Sequence, residues 1–284
     1  MSDGQNEPEQ DDARSRLEQS QLRRRMLDAA QRLVEQAGGL SVSLENLSLD
    51  VVIKEAGVSR TSVYREWRNK EAFYVDLLCN LAGPNWQGTA AFDEETIRLV
   101  RDVVAERLDL LQTLEGRRQV MLEAIRQGAE QNFRAVVTST QWRTYVALTA
   151  TVLSMPTDDE ARARVQEALQ TSESTFIDRM ASFYEDMGVI IGFRLRPHVD
   201  SFSTLAAAGA SVVEGLGLRR ILIPDVVEKT LSLPGPNGDE EWHLAALGFL
   251  GIIDQLVEMT PDYAFTIALP QYLKRLSDRE ATLT

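Results

Sequence analysis

Cysteine and histidine are scarce in this 284-residue chain, which holds one cysteine and two histidines. Cys79 has no second cysteine with which to form an internal disulfide, and its apolar neighbours predict a small core residue. His198 and His243 lack the spacing of a metal site, and we interpret His198 as a surface or interface group. The sequence also contains no nucleophile elbow and no Gly-rich phosphate loop. It therefore predicts no catalytic residue, no metal and no cofactor.

Long apolar runs are missing as well. The most apolar stretches, near Val199–Ile223 and Leu244–Val257, carry charges or are too short to cross a bilayer. The first residues are acidic and polar, without the apolar core of a signal peptide. Apolar residues still make up 44% of the chain, which is enough for a substantial buried core. We therefore expect a cytoplasmic protein with no membrane partner.

Lys and Arg are outnumbered by Asp and Glu over the whole chain, but the two kinds of charge are unevenly distributed. The net charge of −13 argues at first against nucleic acid, because neutralising phosphates requires Lys and Arg. Residues 1–13 hold five acids and no base, whereas residues 14–76 hold eleven Lys and Arg against nine Asp and Glu. The small basic excess therefore lies in the N-terminal quarter, and the acidic remainder would repel DNA and help to orient the molecule on it.

The spacing of apolar residues is helical almost throughout, with no alternating β-rich runs, so we predict an all-α fold. Residues 1–16 are predicted to be a disordered acidic tail, residues 17–82 a DNA-binding domain of short helices, and residues 83–284 a larger helical domain. Predicted helices cover Leu17–Ala37, Leu49–Ala56, Arg60–Trp67, Lys70–Leu81, Glu94–Leu114, Arg117–Thr138, Gln141–Leu153, Asp158–Asp186, Ser201–Leu222, Glu240–Met259 and Pro261–Asp278.

A helix-turn-helix is indicated by Ala56-Gly57-Val58-Ser59, which ends one helix and starts another within four residues. Ser48 and Ser59 are predicted N-caps of the two short helices. Polar side chains on or beside the second helix would reach base edges and phosphates, and a lysine at the start of the next helix suits a phosphate. The predicted DNA-binding residues are Ser48, Ser59, Arg60, Thr61, Ser62, Tyr64, Arg65 and Lys70.

Residues Leu49–Leu78 read LDVVIKEAGVSRTSVYREWRNKEAFYVDLL, which resembles the helix-turn-helix of the TetR family of one-component regulators. The Ala-Gly-Val-Ser turn, Tyr64, Trp67 and the Lys70-Glu71 pair carry the resemblance. It implies a reader of a double-stranded DNA operator followed by a helical domain for ligand binding and dimerisation. Three residues depart from the family pattern: Ile53 replaces a small residue, Thr61 replaces a common Gly, and Glu66 stands where a phosphate-contacting Tyr or His is frequent. Trp67 is predicted to be a core residue.

The same resemblance implies a homodimer and a pocket for a small-molecule effector. One apolar stripe with small residues would let a partner helix approach closely; it comprises Phe202, Leu205, Ala206, Gly209, Val212, Val213 and Leu216. Aromatic and Met side chains between the reader and this stripe are the predicted lining of a pocket for an apolar or aromatic effector. They are Met121, Phe133, Trp142, Tyr145, Met155, Phe176, Met180, Phe183 and Tyr184. Ordinary core packing is the alternative for both sets.

The resemblance further implies a ligand-responsive repressor that binds a palindromic operator as a dimer and is released by its effector. Two other functions compete with this one. An enzyme is disfavoured by the missing motifs described above. A helical interaction module that retains the fold without specific DNA binding would fit Glu66 and the small basic excess.

Overall fold

The protein is described here by a computed structural model, which covers the backbone of residues 7–40, 47–83, 93–235 and 238–283. Within these ranges the fold is all-α with a few short strands. The helices are α1 (Glu7–Gln36), α2 (Leu49–Ala56), α3 (Arg60–Glu66), α4 (Lys70–Ala82), α5 (Glu94–Ala105), α6 (Leu114–Thr138), α7 (Thr140–Ser154), α8 (Glu160–Met187), α9 (Phe202–Leu222), α10 (Pro224–Val227), α11 (Leu244–Leu256) and α12 (Phe265–Leu283). A short 3-10 helix, Leu110–Gln112, precedes α6, and a π-helical turn, Gly188–Gly192, follows α8.

The chain divides into two compact units. The first holds α1 to α4, all of α7, and α8 as far as Glu173. Its core joins Met26 of α1, Val52 of α2, Phe73 of α4 and Leu148 of α7, all essentially inaccessible to solvent. These residues recur at helical spacing, so each helix buries one apolar face in a shared core. The predicted boundary after residue 82 remains a prediction, but α7 and the start of α8 belong to this first unit.

The second unit holds α5, α6, the remainder of α8 from Ser174, and the chain after it. α6 packs against α5, α9 and α11. The C-terminal helix α12 is tied to α8 by a buried acid: the Asp186 carboxylate accepts from Arg275 Nε at 2.6 Å and from Arg279 Nη2 at 3.2 Å. Burial of an acid is tolerated there because it is paired with two guanidinium groups.

Four short strands form two antiparallel pairs, which the sequence did not predict. β1 (Phe193–Leu195) pairs with β4 (Val257–Met259), with Phe193 opposite Met259. β2 (Thr230–Gly235) pairs with β3 (Gly238–His243) in a hairpin. The predicted helix over 240–259 is therefore wrong at both ends: residues up to His243 pair as a strand, α11 covers only Leu244–Leu256, and Val257–Met259 is β4.

The predicted disordered tail is also corrected in part. Residues 1–6 lie outside the described range, but the backbone is helical from Glu7. Pro8 falls in the first turn, where its missing N–H has no helical partner to lose, and acidic residues favour this end of a helix. Among the described helices, none is long and apolar enough to span a membrane.

Candidate DNA-binding surface and internal cavity

The turn between α2 and α3 is built on Gly57, whose φ of 61° lies in the left-handed region that favours glycine. The Gly57 N–H bonds the carbonyl of Lys54 at 3.2 Å, and the Val58 N–H bonds that of Ile53 at 3.4 Å. Arg25 of α1 donates to the carbonyls of Ala56 and Gly57 at 2.8 and 3.1 Å. These bonds satisfy carbonyl groups that the end of α2 leaves without helical partners. The turn is thus fixed from two sides.

Helix α3 begins at a capped residue and leaves one polar face exposed. The Ser59 hydroxyl accepts from the Ser62 N–H at 3.1 Å, which confirms the predicted cap. Val63 is fully buried and anchors the helix in the core. The exposed set comprises Arg60, Thr61, Tyr64 and Arg65, whereas Ser62 is half-buried.

Ser48 occupies the predicted N-cap position of α2, but only its backbone takes part in the cap. Its side chain makes no capping hydrogen bond, and it is the Ser48 carbonyl that accepts from Val51 and Val52 at the start of α2. Ser48 is nevertheless exposed beside α2. Lys70 is exposed at the first position of α4, whose N-terminus is capped by Asn69 accepting from Ala72 at 2.9 Å.

Arg60 is paired within the domain. Its Nη2 lies 2.5 Å from Oδ1 of Asp50 on α2, and both side chains are exposed. An exposed ion pair of this kind contributes little to stability, on the order of 0.2–1 kcal/mol. The guanidinium group is thus held at the front of α3 without being buried.

Glu66 does not add an unpaired negative charge to the surface. Its carboxylate accepts from Arg23 at 2.9 Å and from Gln19 at 2.5 Å, both on α1. Glu66 therefore has a structural role, because these bonds connect the end of α3 to α1.

Close to these bonds, Asp76 of α4 accepts hydrogen bonds from three donors in three parts of the first unit. Its carboxylate accepts from Arg23 at 2.6 Å, from the Trp67 ring N–H at 2.8 Å and from Arg164 of α8 at 2.7 Å. Asp76 is 8% exposed and Trp67 3%, so Trp67 is the core residue that the sequence predicted. We call these four residues the Asp76 hub. It joins α1, α4 and α8 to the loop that follows α3.

Comparison with known families identifies this arrangement. Residues 26–77 match the family model of bacterial regulatory proteins of the tetR family. The N-terminal segment is a TetR-family DNA-binding domain. The chain is accordingly a DNA-binding transcriptional regulator, and the family is one of regulators, not of enzymes. A search of curated proteins returned no match.

The second unit contains a partly open cavity of about 90 Å³, measured as the space open to the centre of a water molecule. Its walls are almost wholly apolar. The lining residues are Thr96, Val100, Met121, Ala124, Ile125, Gly128, Ala129, Asn132, Met180, Phe183, Tyr184, Met187, Ile191, Phe193, Gly209, Val213, Phe249 and Ile253. All of them belong to the second unit.

The predicted pocket residues separate into two groups. Met121, Met180, Phe183 and Tyr184 line the cavity, and the other five do not. Phe133 packs on the His243 ring at 4.6 Å between centroids, and Phe176 is buried away from the cavity lining. The remaining three residues belong to the first unit: Trp142 and Tyr145 lie on α7, and Met155 follows it. Tyr145 is hydrogen-bonded to Glu173.

Phe249 and Asn132 also line the cavity and were not predicted from the sequence. Tyr184 and Phe249 stack with ring centroids 5.7 Å apart, and Asn132 lies on the α6 wall. Gly209 makes room for this pair: a Cβ there would lie 2.7 Å from the Phe249 ring. A glycine inside a helical pattern signals such a close approach, and Gly128 of α6 carries the same signal.

The predicted dimer stripe on α9 is largely internal. Leu205, Ala206, Gly209 and Val213 are buried within the second unit, and the last two line the cavity. A partner chain cannot reach these four residues, so their assignment to an interface is corrected to core. The other three, Phe202, Val212 and Leu216, are half-buried.

The exposed apolar side chains of α9 lie instead at its C-terminal end. Ile221 is 72% and Leu222 80% exposed, and Leu218 on the preceding turn is also exposed. Ile223, which precedes α10, and Val226, which lies within it, continue this set. We call these five residues the α9–α10 apolar surface.

Proposed function

We propose that the chain is a ligand-responsive repressor that binds a palindromic operator as a homodimer and is released by a small apolar or aromatic effector. The observation that carries DNA reading is the exposed polar face of α3, held by the capped turn and by Val63 in the core of a TetR-family domain. Repressor action and release by ligand are taken from the resemblance to the family. A cytoplasmic location fits this role.

In this proposal α3 enters the major groove of DNA. Thr61, Tyr64 and Arg65 are exposed along it and reach base edges or phosphates. Arg60 exchanges its bond to Asp50 for a phosphate or a guanine. Lys70 presents its ammonium group beside the N-terminus of α4, which favours an anion. The predicted set is completed by the hydroxyl groups of Ser48, Ser59 and Ser62. Those of Ser59 and Ser62 are hydrogen-bonded to each other at 2.8 Å.

The DNA-binding test uses duplexes from the region upstream of the chain's own gene, with affinity measured by fluorescence anisotropy over a range of salt concentrations. Lys70→Ala should weaken binding and reduce the slope of log affinity against log salt by about one, because one phosphate contact is lost. Lys274 of α12 is an exposed lysine in the second unit, and Lys274→Ala should leave both quantities unchanged. If no duplex binds specifically even at low salt, the interaction module becomes the better function.

A second variant examines the Arg60–Asp50 pair. Asp50→Ala removes an acid from the DNA-facing side of the domain and frees Arg60, so affinity for any duplex should rise about threefold at low salt. The gain should fade as salt is raised, because screening weakens exposed charge interactions. Unchanged or weaker binding by Asp50→Ala would show that Asp50 orients Arg60 for the DNA.

We propose the α9–α10 apolar surface as part of the homodimer interface, since exposed apolar groups gathered in this way favour association. The double variant Ile221→Glu with Leu222→Glu should shift the protein from dimer to monomer in light scattering coupled to size exclusion. Leu153 of α7 is 75% exposed in the first unit, and Leu153→Glu is the matched control that should leave the dimer intact. A dimer that persists in the double variant would place the interface elsewhere.

Helix α8 offers a route for the effector to act. In the second unit it contributes Met180, Phe183, Tyr184 and Met187 to the cavity wall, and in the first it contributes Arg164 to the Asp76 hub. An effector that binds one conformation of α8 more tightly than another shifts the population toward the first conformation. The shift in free energy cannot exceed the difference between the binding free energies of the effector for the two conformations. Its effect on DNA binding is measured by adding effector to the anisotropy titration.

A further inference from the structure

The cavity walls carry no charge. Among the eighteen lining residues within the described ranges there is no Asp, Glu, Lys, Arg or His, and fifteen of them are apolar. A charged ligand would lose its hydration on entering and find no counter-ion to replace it. The cavity therefore selects uncharged molecules.

The three polar side chains in the cavity wall differ in whether they already have a hydrogen-bond partner within the protein. The Thr96 hydroxyl donates to Asp93 at 2.7 Å, and Asn132 already has a partner within the protein. The Tyr184 hydroxyl makes no hydrogen bond to any part of the chain that the structure describes. Burial raises the pKa of Tyr184, so the group stays neutral and keeps its proton. A phenol O–H in an apolar wall is a hydrogen-bond donor that needs an acceptor.

The size of the cavity limits the ligand. A water molecule needs at least about 10–15 Å³ of this kind of volume, so a cavity of about 90 Å³ corresponds to roughly six to nine such positions. The Tyr184 ring is itself fixed by stacking on Phe249, so its hydroxyl has a defined position in the wall. The site thus offers one oriented donor in a small apolar space.

We propose that the cavity takes a small uncharged ligand with one hydrogen-bond acceptor, such as a ketone, ester or ether on an aromatic or aliphatic frame, and that Tyr184 donates to that acceptor. Tyr184 is then the residue that selects among apolar ligands of equal shape. This inference rests on the proposed function, because it specifies the chemistry of the effector.

The experiment compares three probes of nearly equal size by titration calorimetry on the full-length protein. Acetophenone has a carbonyl acceptor, α-methylstyrene replaces that oxygen by a methylene group, and benzoate is an anion. Tyr184→Phe should weaken acetophenone binding about tenfold and leave α-methylstyrene binding almost unchanged, because only the ketone loses a partner. Benzoate should bind neither protein measurably. Tyr74→Phe, in the first unit, is the matched control and should bind all three probes as the wild type does.

The outcomes separate this inference from the proposed function. Equal effects of Tyr184→Phe on acetophenone and α-methylstyrene, tight binding of benzoate, or no binding of any probe would each overturn the inference. DNA binding is measured on the same preparations, so a protein that reads its operator but fails these tests retains the regulator function. Loss of specific DNA binding in the wild type would instead overturn the proposed function.

Discussion

Removal of the Asp76 carboxylate should destabilise the first unit strongly. Asp76→Ala takes three acceptor bonds from the Asp76 hub, but their costs differ. Arg23 and Arg164 are about half exposed, so water replaces the lost partner and each pair is worth roughly 0.2–1 kcal/mol. The Trp67 ring N–H is buried and would be left without an acceptor, which costs about 1–3 kcal/mol. The expected loss in unfolding free energy is therefore about 3 kcal/mol.

Urea unfolding followed by circular dichroism and tryptophan fluorescence measures this loss. Asp76→Asn is the matched control, because its amide oxygen can still accept from Trp67; its loss should be smaller, about 1 kcal/mol. A shift in Trp67 emission should accompany Asp76→Ala but be weaker in Asp76→Asn. If Asp76→Ala costs less than about 0.5 kcal/mol, or if both variants cost the same, the Trp67 N–H does not depend on Asp76 and the reasoning fails.

Two other predictions concern the second unit. Burial lowers the pKa of His243, whose Nδ1 accepts from the N–H of Ala245 at the start of α11. In the unfolded chain this histidine binds a proton as the pH falls below about 6.5, whereas in the folded chain it stays neutral to a lower pH. The free energy of unfolding should therefore fall as the pH drops below about 6.5. His243→Gln should flatten this dependence in urea titrations between pH 5 and 8, whereas the exposed-site variant His198→Gln should retain it. Gly209→Ala should lower the free energy of unfolding by about 1–3 kcal/mol, because the new Cβ would press on the Phe249 ring. The matched control Gly251→Ala has open space around it and should raise the free energy of unfolding by up to about 1 kcal/mol.

Local signals were sufficient to predict most of the helices and the helix-turn-helix. Gly57 and Ser59 mark the turn and the cap by residue type alone, and both act as expected. The hairpin of β2 and β3 was missed because the alternation of Leu231 and Leu233 in β2 is short and β3 has no alternating apolar residues. Neither segment alone indicates which residues pair across the two strands. Residues 240–243 consequently looked like the first turn of α11.

The site was harder to predict because an apolar face does not reveal what covers it. Gly209 and Val213 fit the pattern of a helix that meets a partner, yet they face the interior of their own unit. Trp142 and Tyr145 have pocket-like composition, but α7 belongs with the reader. Such outcomes depend on how the chain folds back over more than a hundred residues, as the bond between the Leu40 N–H and the Thr144 hydroxyl illustrates.

The membership of α7 in the first unit has a practical consequence for building hybrid regulators. Exchanging readers between proteins by splicing this chain after residue 82 would separate Leu77 and Leu81 from Leu148 and Val165, with which they share a core. The transplanted fragment would expose that apolar surface and become prone to aggregation. A modular sensor made from this protein must therefore carry two separate stretches of sequence, with the second junction placed inside the continuous helix α8.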